Sequence, residues 1–129
     1  MLDTNSVSHL LREHPAVVRR VMAAPMASLC LSAITEAELR YGLAKRPDAK
    51  RLHRAVGELL LRLDVLSWDS DTAQAYGTIR ASLERQGKAL APLDLLIAAH
   101  AIATGCTLVS NDQAFTLLPG LALEDWTLE

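Results

Sequence analysis

The segment PLDLLIAAHAIATGCTLVSND, residues 92–112, decides the fold class. Its first half predicts a strongly apolar helix over 93–104, which ends where Gly105 supplies a helix stop. The run TLVS at 107–110 is short and apolar, as a buried strand is. A helix that is apolar on nearly every face and leads at once into a buried strand is typical of a parallel sheet covered by helices on both sides.

The same alternation extends along the rest of the chain. Short apolar runs predict strands at 27–33, 65–68 and 121–123, while Met1-Leu2-Asp3 is a stub too brief to identify without its context. Helices are predicted over 6–12, 15–22, 35–44, 48–63, 70–86 and 112–117, with a loop at 87–92. Alternating strands and helices imply an α/β fold with a short central parallel sheet of about four to five strands.

Length and composition predict one domain spanning residues 1–129, with an aliphatic core, because half of the residues are hydrophobic and aromatic residues are scarce. No apolar run reaches the roughly 20 residues that span a bilayer, and the start carries an acid where a secretory signal carries bases. We therefore expect a cytoplasmic protein. Cys30 and Cys106 lie in apolar runs without neighbours at zinc-ligand spacing, so buried, reduced thiols are predicted.

Charge is distributed unevenly along the chain. All 13 Lys and Arg residues lie between Arg12 and Lys88, whereas residues 89–129 contain five acids and no base. This asymmetry is compatible with separate regions for a cation and a polyanion, and equally with ordinary solvated helix faces.

Four acids stand at strand ends or helix starts: Asp3, Glu38, Asp94 and Asp112. In a parallel sheet these positions face the edge where ligands bind. Carboxylates brought together repel one another, and a divalent cation relieves the repulsion. Because all the donors are oxygens, the cation is expected to be Mg²⁺ or Mn²⁺ rather than zinc.

Helix capping explains each acid equally well when it is taken alone. Residues 35–38 (TEAE) form a capping box with Thr35 as N-cap, and residues 110–113 (SNDQ) form another. Asp94 would favour the dipole of its helix, and Asp3 would cap the first helix together with Thr4. Capping does not explain why the first strand stub ends on an acid beside Thr4-Asn5.

Four segments together resemble the PIN-domain ribonucleases, and more narrowly the VapC-type toxins of bacterial toxin–antitoxin pairs. They are MLDTN (1–5), ITEAELRYG (34–42), PLDLLIAAHA (92–101) and TLVSND (107–112), and the likeness extends to PGLALEDW (119–126). Their order and spacing carry the resemblance more than any one motif does. It implies the three-layer PIN fold, with helices flanking the short parallel sheet.

The resemblance also implies a pocket of four acids that binds one or two metal ions. Asp3 and Asp94 are then the direct ligands, and Glu38 and Asp112 act through water or on a second ion. Either of these two would accept a proton from the attacking water. Polar neighbours expected to hold the acids and the water are Asn5, Ser110 and Asn111. Glu36 is left outside, and no catalytic role falls to His9, His14, His53 or His100.

The expected substrate is RNA in a single strand or loop, with the tRNA anticodon region as the particular expectation. The expected partners are a second copy of the chain and a small antitoxin whose C-terminal segment directs a basic residue toward the acids. Candidates for contacts to the RNA backbone are Arg12, Arg40 and Lys45 first, and then Arg19, Arg20, Arg46 and Lys50. Partner binding and core packing explain Val17, Val18, Val21 and Met22 equally well.

Two other functions agree with part of this pattern. A phosphoryl hydrolase of the haloacid-dehalogenase type also begins with an acid after its first strand, but it needs a second Asp where this chain has Asn5. A catalytically silent domain that keeps the fold for binding a partner would not need all four acids, and all four are present.

Overall fold

Residues 1–128 are described by the computed structural model, and within them six α-helices alternate with four short strands. The helices are α1 (Thr4–Leu11), α2 (Pro15–Ala23), α3 (Ala33–Ala44), α4 (Lys50–Arg62), α5 (Ser70–Arg85) and α6 (Pro92–Thr104). The strands are β1 (Cys30–Ser32), β2 (Asp64–Leu66), β3 (Leu108–Val109) and β4 (Leu123–Glu124). Two 3-10 turns, Met26–Ser28 and Gln113–Leu117, complete the regular structure.

The central sheet consists of two parallel pairs that the first residues of the chain join. β1 pairs with β2 and β3 pairs with β4, both in parallel. Leu2 forms a parallel bridge with Val109, and its N–H donates to the Cys30 carbonyl at 3.0 Å. The stub therefore lies between β1 and β3, and the strand order is β2–β1–Leu2–β3–β4. This arrangement confirms the predicted α/β fold with four to five short strands.

Alternate residues of the central strands face two separate cores, as the period of a strand requires. Met1, Cys30 and Leu108 pack on one face, against α5 and α6. Leu2, Leu31 and Val109 pack on the other face, against residues of α1, α2, α3 and α4. The predicted apolar helix is α6, which buries six of its residues because it lies inside the fold: Leu95, Ile97, Ala98, Ala99, His100 and Ala101.

Several predicted bounds are wrong, and two of the errors concern the acids. The run predicted as a strand over 27–33 holds only β1, because Ser32 ends the strand and caps α3 by accepting from the Ile34 N–H at 3.1 Å. α3 thus begins at Ala33 rather than at residue 35. The helix predicted over 112–117 is a 3-10 turn, which Asp112 caps. The strands predicted at 65–68 and 121–123 are each displaced by one or two residues.

The cysteines are free thiols, as predicted, although only Cys30 is fully buried while Cys106 is half-buried. Their Sγ atoms lie 3.9 Å apart, and burial raises the pKa of Cys30. Among residues 1–128, no helix combines the length and the apolar character needed to cross a membrane.

Candidate metal-binding site

The four predicted acids converge at the carboxyl ends of the central strands. Asp3 directly follows Leu2, Asp112 lies three residues after the end of β3, Glu38 is in the second turn of α3, and Asp94 is in the first turn of α6. The acids are close enough for their charges to affect the pKa of Asp94. Burial raises that pKa most, and the charges of Asp112, Asp3 and Glu38 raise it further. Three carboxylates therefore act electrostatically on the fourth.

Asp3 and Asp112 cap helical segments, as the capping alternative predicts, but each does so with one oxygen. Asp3 is 2% exposed, and its Oδ1 accepts from the Ser6 N–H at 2.7 Å. Asp112 Oδ1 accepts from the Ala114 N–H at 2.9 Å. Within residues 1–128, the second carboxylate oxygen of each accepts no hydrogen bond. Capping therefore orients both groups and leaves one oxygen of each available to a ligand.

Glu38 is not part of a capping box, so the helix-cap explanation fails for this acid. Because Ser32 caps α3, Glu38 is the sixth helical residue and lies beyond the free N–H groups of the first turn. Its Oε1 instead accepts from Thr4 Oγ1 at 2.6 Å. Thr4 was not among the predicted site residues, and its place beside Asp3 in the opening DTN was the available signal.

Asp94 differs from the other three acids because it makes no hydrogen bond or ion pair within the described part of the chain. It is the third residue of α6 and half-buried. The helix dipole favours a negative charge in this first turn. Burial and the charges of the neighbouring acids nevertheless raise the pKa of Asp94. A bound cation would favour its ionised form and offset that effect.

The predicted supporting residues divide into one that contacts an acid and two that do not. Ser110 is 2% exposed, and its Oγ accepts from the Asp112 N–H at 3.0 Å. The capping box predicted at 110–113 is wrong, since Asp112 itself is the cap. Asn5 and Asn111 are exposed and make no side-chain hydrogen bond within residues 1–128.

The basic candidates also differ in their surroundings. Arg40 forms an ion pair with Glu36 one helical turn away, at 2.7 Å. Lys45 lies 4.6 Å from the ring centre of Tyr41 and lines a groove that also contains Thr4 and Glu38. Arg12 is exposed at the end of α1.

The residues of the cluster fit Mg²⁺ or Mn²⁺ by their chemistry. All four donors are carboxylates, and hard divalent cations prefer oxygen ligands. Within residues 1–128, however, no three His, Cys, Asp or Glu side chains have the spacing of a formed metal site. The four carboxylates are close enough for three of them to raise the pKa of Asp94, and a bound cation would relieve their repulsion.

Comparison with known proteins agrees with this fold. Residues 1–121 match the PIN domain family. The tRNA(fMet)-specific endonuclease VapC of Shigella flexneri is 37% identical over 128 residues, which cover 98% of this chain and 97% of that protein. Ribonuclease VapC2 of Haemophilus influenzae is 35% identical over 127 residues, covering 98% of this chain and 96% of that protein.

A solved structure gives the same result. The DNA-bound VapBC of Salmonella typhimurium superposes with a TM-score of 0.89 at 36% identity, covering 98% of this chain and 96% of that one. The α/β fold and the cluster of acids define a PIN-domain protein, and the chain belongs to the PIN domain family. Within that family it is a VapC-type ribonuclease.

Proposed function

We propose that this chain is a metal-dependent endoribonuclease that hydrolyses phosphodiester bonds with Mg²⁺ or Mn²⁺. The observation that supports this most is that Asp3, Glu38 and Asp112 lie close enough to Asp94 for their charges to raise its pKa. A site that gathers four repelling carboxylates at the ligand edge of a sheet is costly unless a cation neutralises them.

The four acids have different parts in the proposed mechanism. Asp3 and Asp94 would hold the metal, Asp3 through the oxygen that its cap leaves unused and Asp94 through a carboxylate with no other partner within residues 1–128. A bound metal would lower the pKa of a water and neutralise charge on the phosphate. Glu38, held by the Thr4 hydroxyl, and Asp112, held by the Ala114 N–H, would orient that water, and one of the two would accept its proton.

The proposed substrate is RNA, in an unpaired strand or loop that can enter the open site. The name of the Shigella relative specifies a tRNA, and we extend that substrate class, with the anticodon loop as the cleaved region, to this chain. Lys45 is better placed than Arg40 to contact the RNA backbone, because Arg40 is already paired with Glu36.

The proposed partners are a second copy of the chain and a small antitoxin. Solved relatives include VapBC complexes, in which a VapC is bound to a VapB. Here a groove between α1, α3 and α4 leads to Glu38, and its apolar lining would accept a segment of the antitoxin: Leu11, Leu39, Leu43, Leu52 and Val56. A basic residue of that segment would face the acids and occupy the place of the cation.

Cleavage of purified tRNA with added Mg²⁺, Mn²⁺ or EDTA tests the proposal. Asp94→Asn and Asp3→Asn should each lower the rate at least about 100-fold, because loss of outer partners of a metal site alone costs about 10–100-fold. Glu36→Gln is the matched control, since it removes an acid that pairs with Arg40. Full cleavage in EDTA would exclude the mechanism. A wild type that cleaves no RNA yet binds its antitoxin would indicate a binding module instead.

A further inference from the structure

His100 is a polar side chain enclosed in the core of the molecule. It lies on the inner face of α6 and is 0% exposed. Its Nδ1 is 2.7 Å from Oγ of Ser32, which is also 0% exposed. Sequence analysis gave His100 no role beyond surface or core packing, and the nuclease mechanism proposed above does not use it.

Ser32 Oγ has two partners, since it also accepts from the Ile34 N–H at 3.1 Å. Its proton and its second lone pair allow the 2.7 Å bond to His100 Nδ1 to run in either direction, according to the tautomer of the ring. The other ring nitrogen, Nε2, is buried without a hydrogen-bond partner within residues 1–128. Burial lowers the pKa of His100, and the Ser67 backbone and the Asp69 charge oppose that shift only in part. The ring is therefore neutral at pH 7.

Core packing alone does not account for this residue. A buried ring nitrogen without a partner destabilises the folded state, whereas an apolar side chain of similar size would fill the same space without that cost. The imidazole contributes something that a leucine cannot, a hydrogen bond to Ser32, the residue that caps α3.

The bond connects the two helices that carry Glu38 and Asp94. Ser32 caps α3 six residues before Glu38, and His100 lies on α6 six residues after Asp94. Asp3 and Asp112 are each held by their own capping bond, and Glu38 is held by Thr4. The Asp94 side chain makes no hydrogen bond within residues 1–128, so its position depends on where α6 lies relative to α3.

We propose that His100 is a positioning residue that, through Ser32, sets the distance between Asp94 and Glu38 and so the affinity of the acid cluster for a divalent cation. This inference rests on the proposed metal-dependent function. It predicts that the bond matters for metal binding even though neither residue is placed among the ligands.

The test is titration of metal-free protein with Mn²⁺, followed by calorimetry, for the wild type and five variants. His100→Leu and Ser32→Ala should each weaken Mn²⁺ binding about 10-fold, the lower end of the range for outer partners of metal sites. The double variant should bind no more weakly than either single one, because both remove the same bond. His100→Asn, which keeps an acceptor near the position of Nδ1, should recover most of the affinity.

Ile97→Val is the matched control, because Ile97 is buried on the same helix and 1% exposed, but is apolar. It should lower stability without changing Mn²⁺ affinity. If His100→Leu does not fold, Ser32→Ala and His100→Asn still decide the question. Unchanged affinity in folded Ser32→Ala, or additive losses in the double variant, would overturn the inference. A wild type that binds no Mn²⁺ would instead overturn the proposed function, and the inference with it.

Discussion

At the scale of single residues, the four acids differ in how they are held. Asp3 and Asp112 each accept a hydrogen bond from a backbone N–H, and Glu38 accepts one from the hydroxyl of Thr4. Asp94 accepts no hydrogen bond within residues 1–128, while burial and three neighbouring charges raise its pKa. The residue with the least local support is therefore the one whose ionised form destabilises the metal-free protein.

Asp94→Asn should stabilise the metal-free protein while abolishing cleavage. At pH 7 the gain is on the order of 0.5 kcal/mol, because solvent screens a partly exposed charge. A raised pKa in the folded state means that protonation stabilises the wild type at low pH and that this stability is lost as pH rises through the folded pKa of Asp94. The difference between variant and wild type should therefore vanish below about pH 4.

Urea unfolding of both proteins in EDTA, at several pH values, measures this difference. Added Mg²⁺ should stabilise the wild type and leave Asp94→Asn unchanged, since only the ionised cluster binds the cation. A difference that grows as pH falls would contradict the assignment of the raised pKa to Asp94.

Thr4→Val should lower the cleavage rate about 10-fold with little loss of stability. The change keeps the shape of the side chain and removes the 2.6 Å hydrogen bond to Glu38. Thr4→Ser keeps the hydroxyl and serves as the control. Single-turnover cleavage rates distinguish the three proteins, and equal rates in all of them would show that Glu38 needs no support from Thr4.

At the scale of elements, local patterns in the sequence predicted where helices and strands lie better than where they begin. The apolar helix at 93–104 and its stop at Gly105 are confirmed, because a left-handed Gly105 ends α6. The prediction that Thr35 caps α3 is wrong, because Ser32, which lies inside an apolar run, caps the helix by accepting from the Ile34 N–H. Contacts such as Thr4 to Glu38 join residues 34 positions apart, and no local pattern predicts them.

The end of α3 and the groove beside it provide a test of RNA contacts. Lys45→Ala should make the dependence of log K on log salt shallower by about 0.7, the contribution of one phosphate contact to single-stranded nucleic acid. Arg40→Ala should leave it nearly unchanged, because Arg40 is paired with Glu36. Binding of a tRNA to catalytically inactive Asp94→Asn, measured at several salt concentrations, checks both. A larger change for Arg40 than for Lys45 would reverse the assignment.

At the scale of the whole molecule, the two halves of the sheet meet only through the stub at residues 1–3, among the pairings within residues 1–128. Leu2 is 0% exposed, and its N–H donates to Cys30 of β1. On the other side, the Asp3 N–H donates to the Val109 carbonyl of β3 and the Met1 carbonyl accepts from the Val109 N–H. Asp3, the next residue, is thereby placed between the ends of β1 and β3, beside Glu38 and Asp112. The stub thus joins the two halves of the sheet and also positions Asp3 within the acid cluster.

Leu2→Ala should destabilise the protein by about 2–5 kcal/mol, the range for truncating a fully buried leucine. Leu61→Ala, at a leucine that is 88% exposed, should change stability by less than about 0.5 kcal/mol. Chemical denaturation of both variants gives the two values. Similar losses at both positions would mean that Leu2 does not lie at the centre of the sheet.

The position of the stub also has a consequence for how the chain is synthesised. The Met1 nitrogen donates to the Thr107 carbonyl, 106 residues away, so the stub cannot take its place until the chain has been made as far as residue 107. Helices form from neighbouring residues, whereas this contact joins two distant parts of the chain. A nascent chain interrupted before residue 107 would contain Asp3, Glu38 and Asp94 without the strand that seats Asp3. Truncated products of abortive translation should therefore be harmless to the cell that makes them.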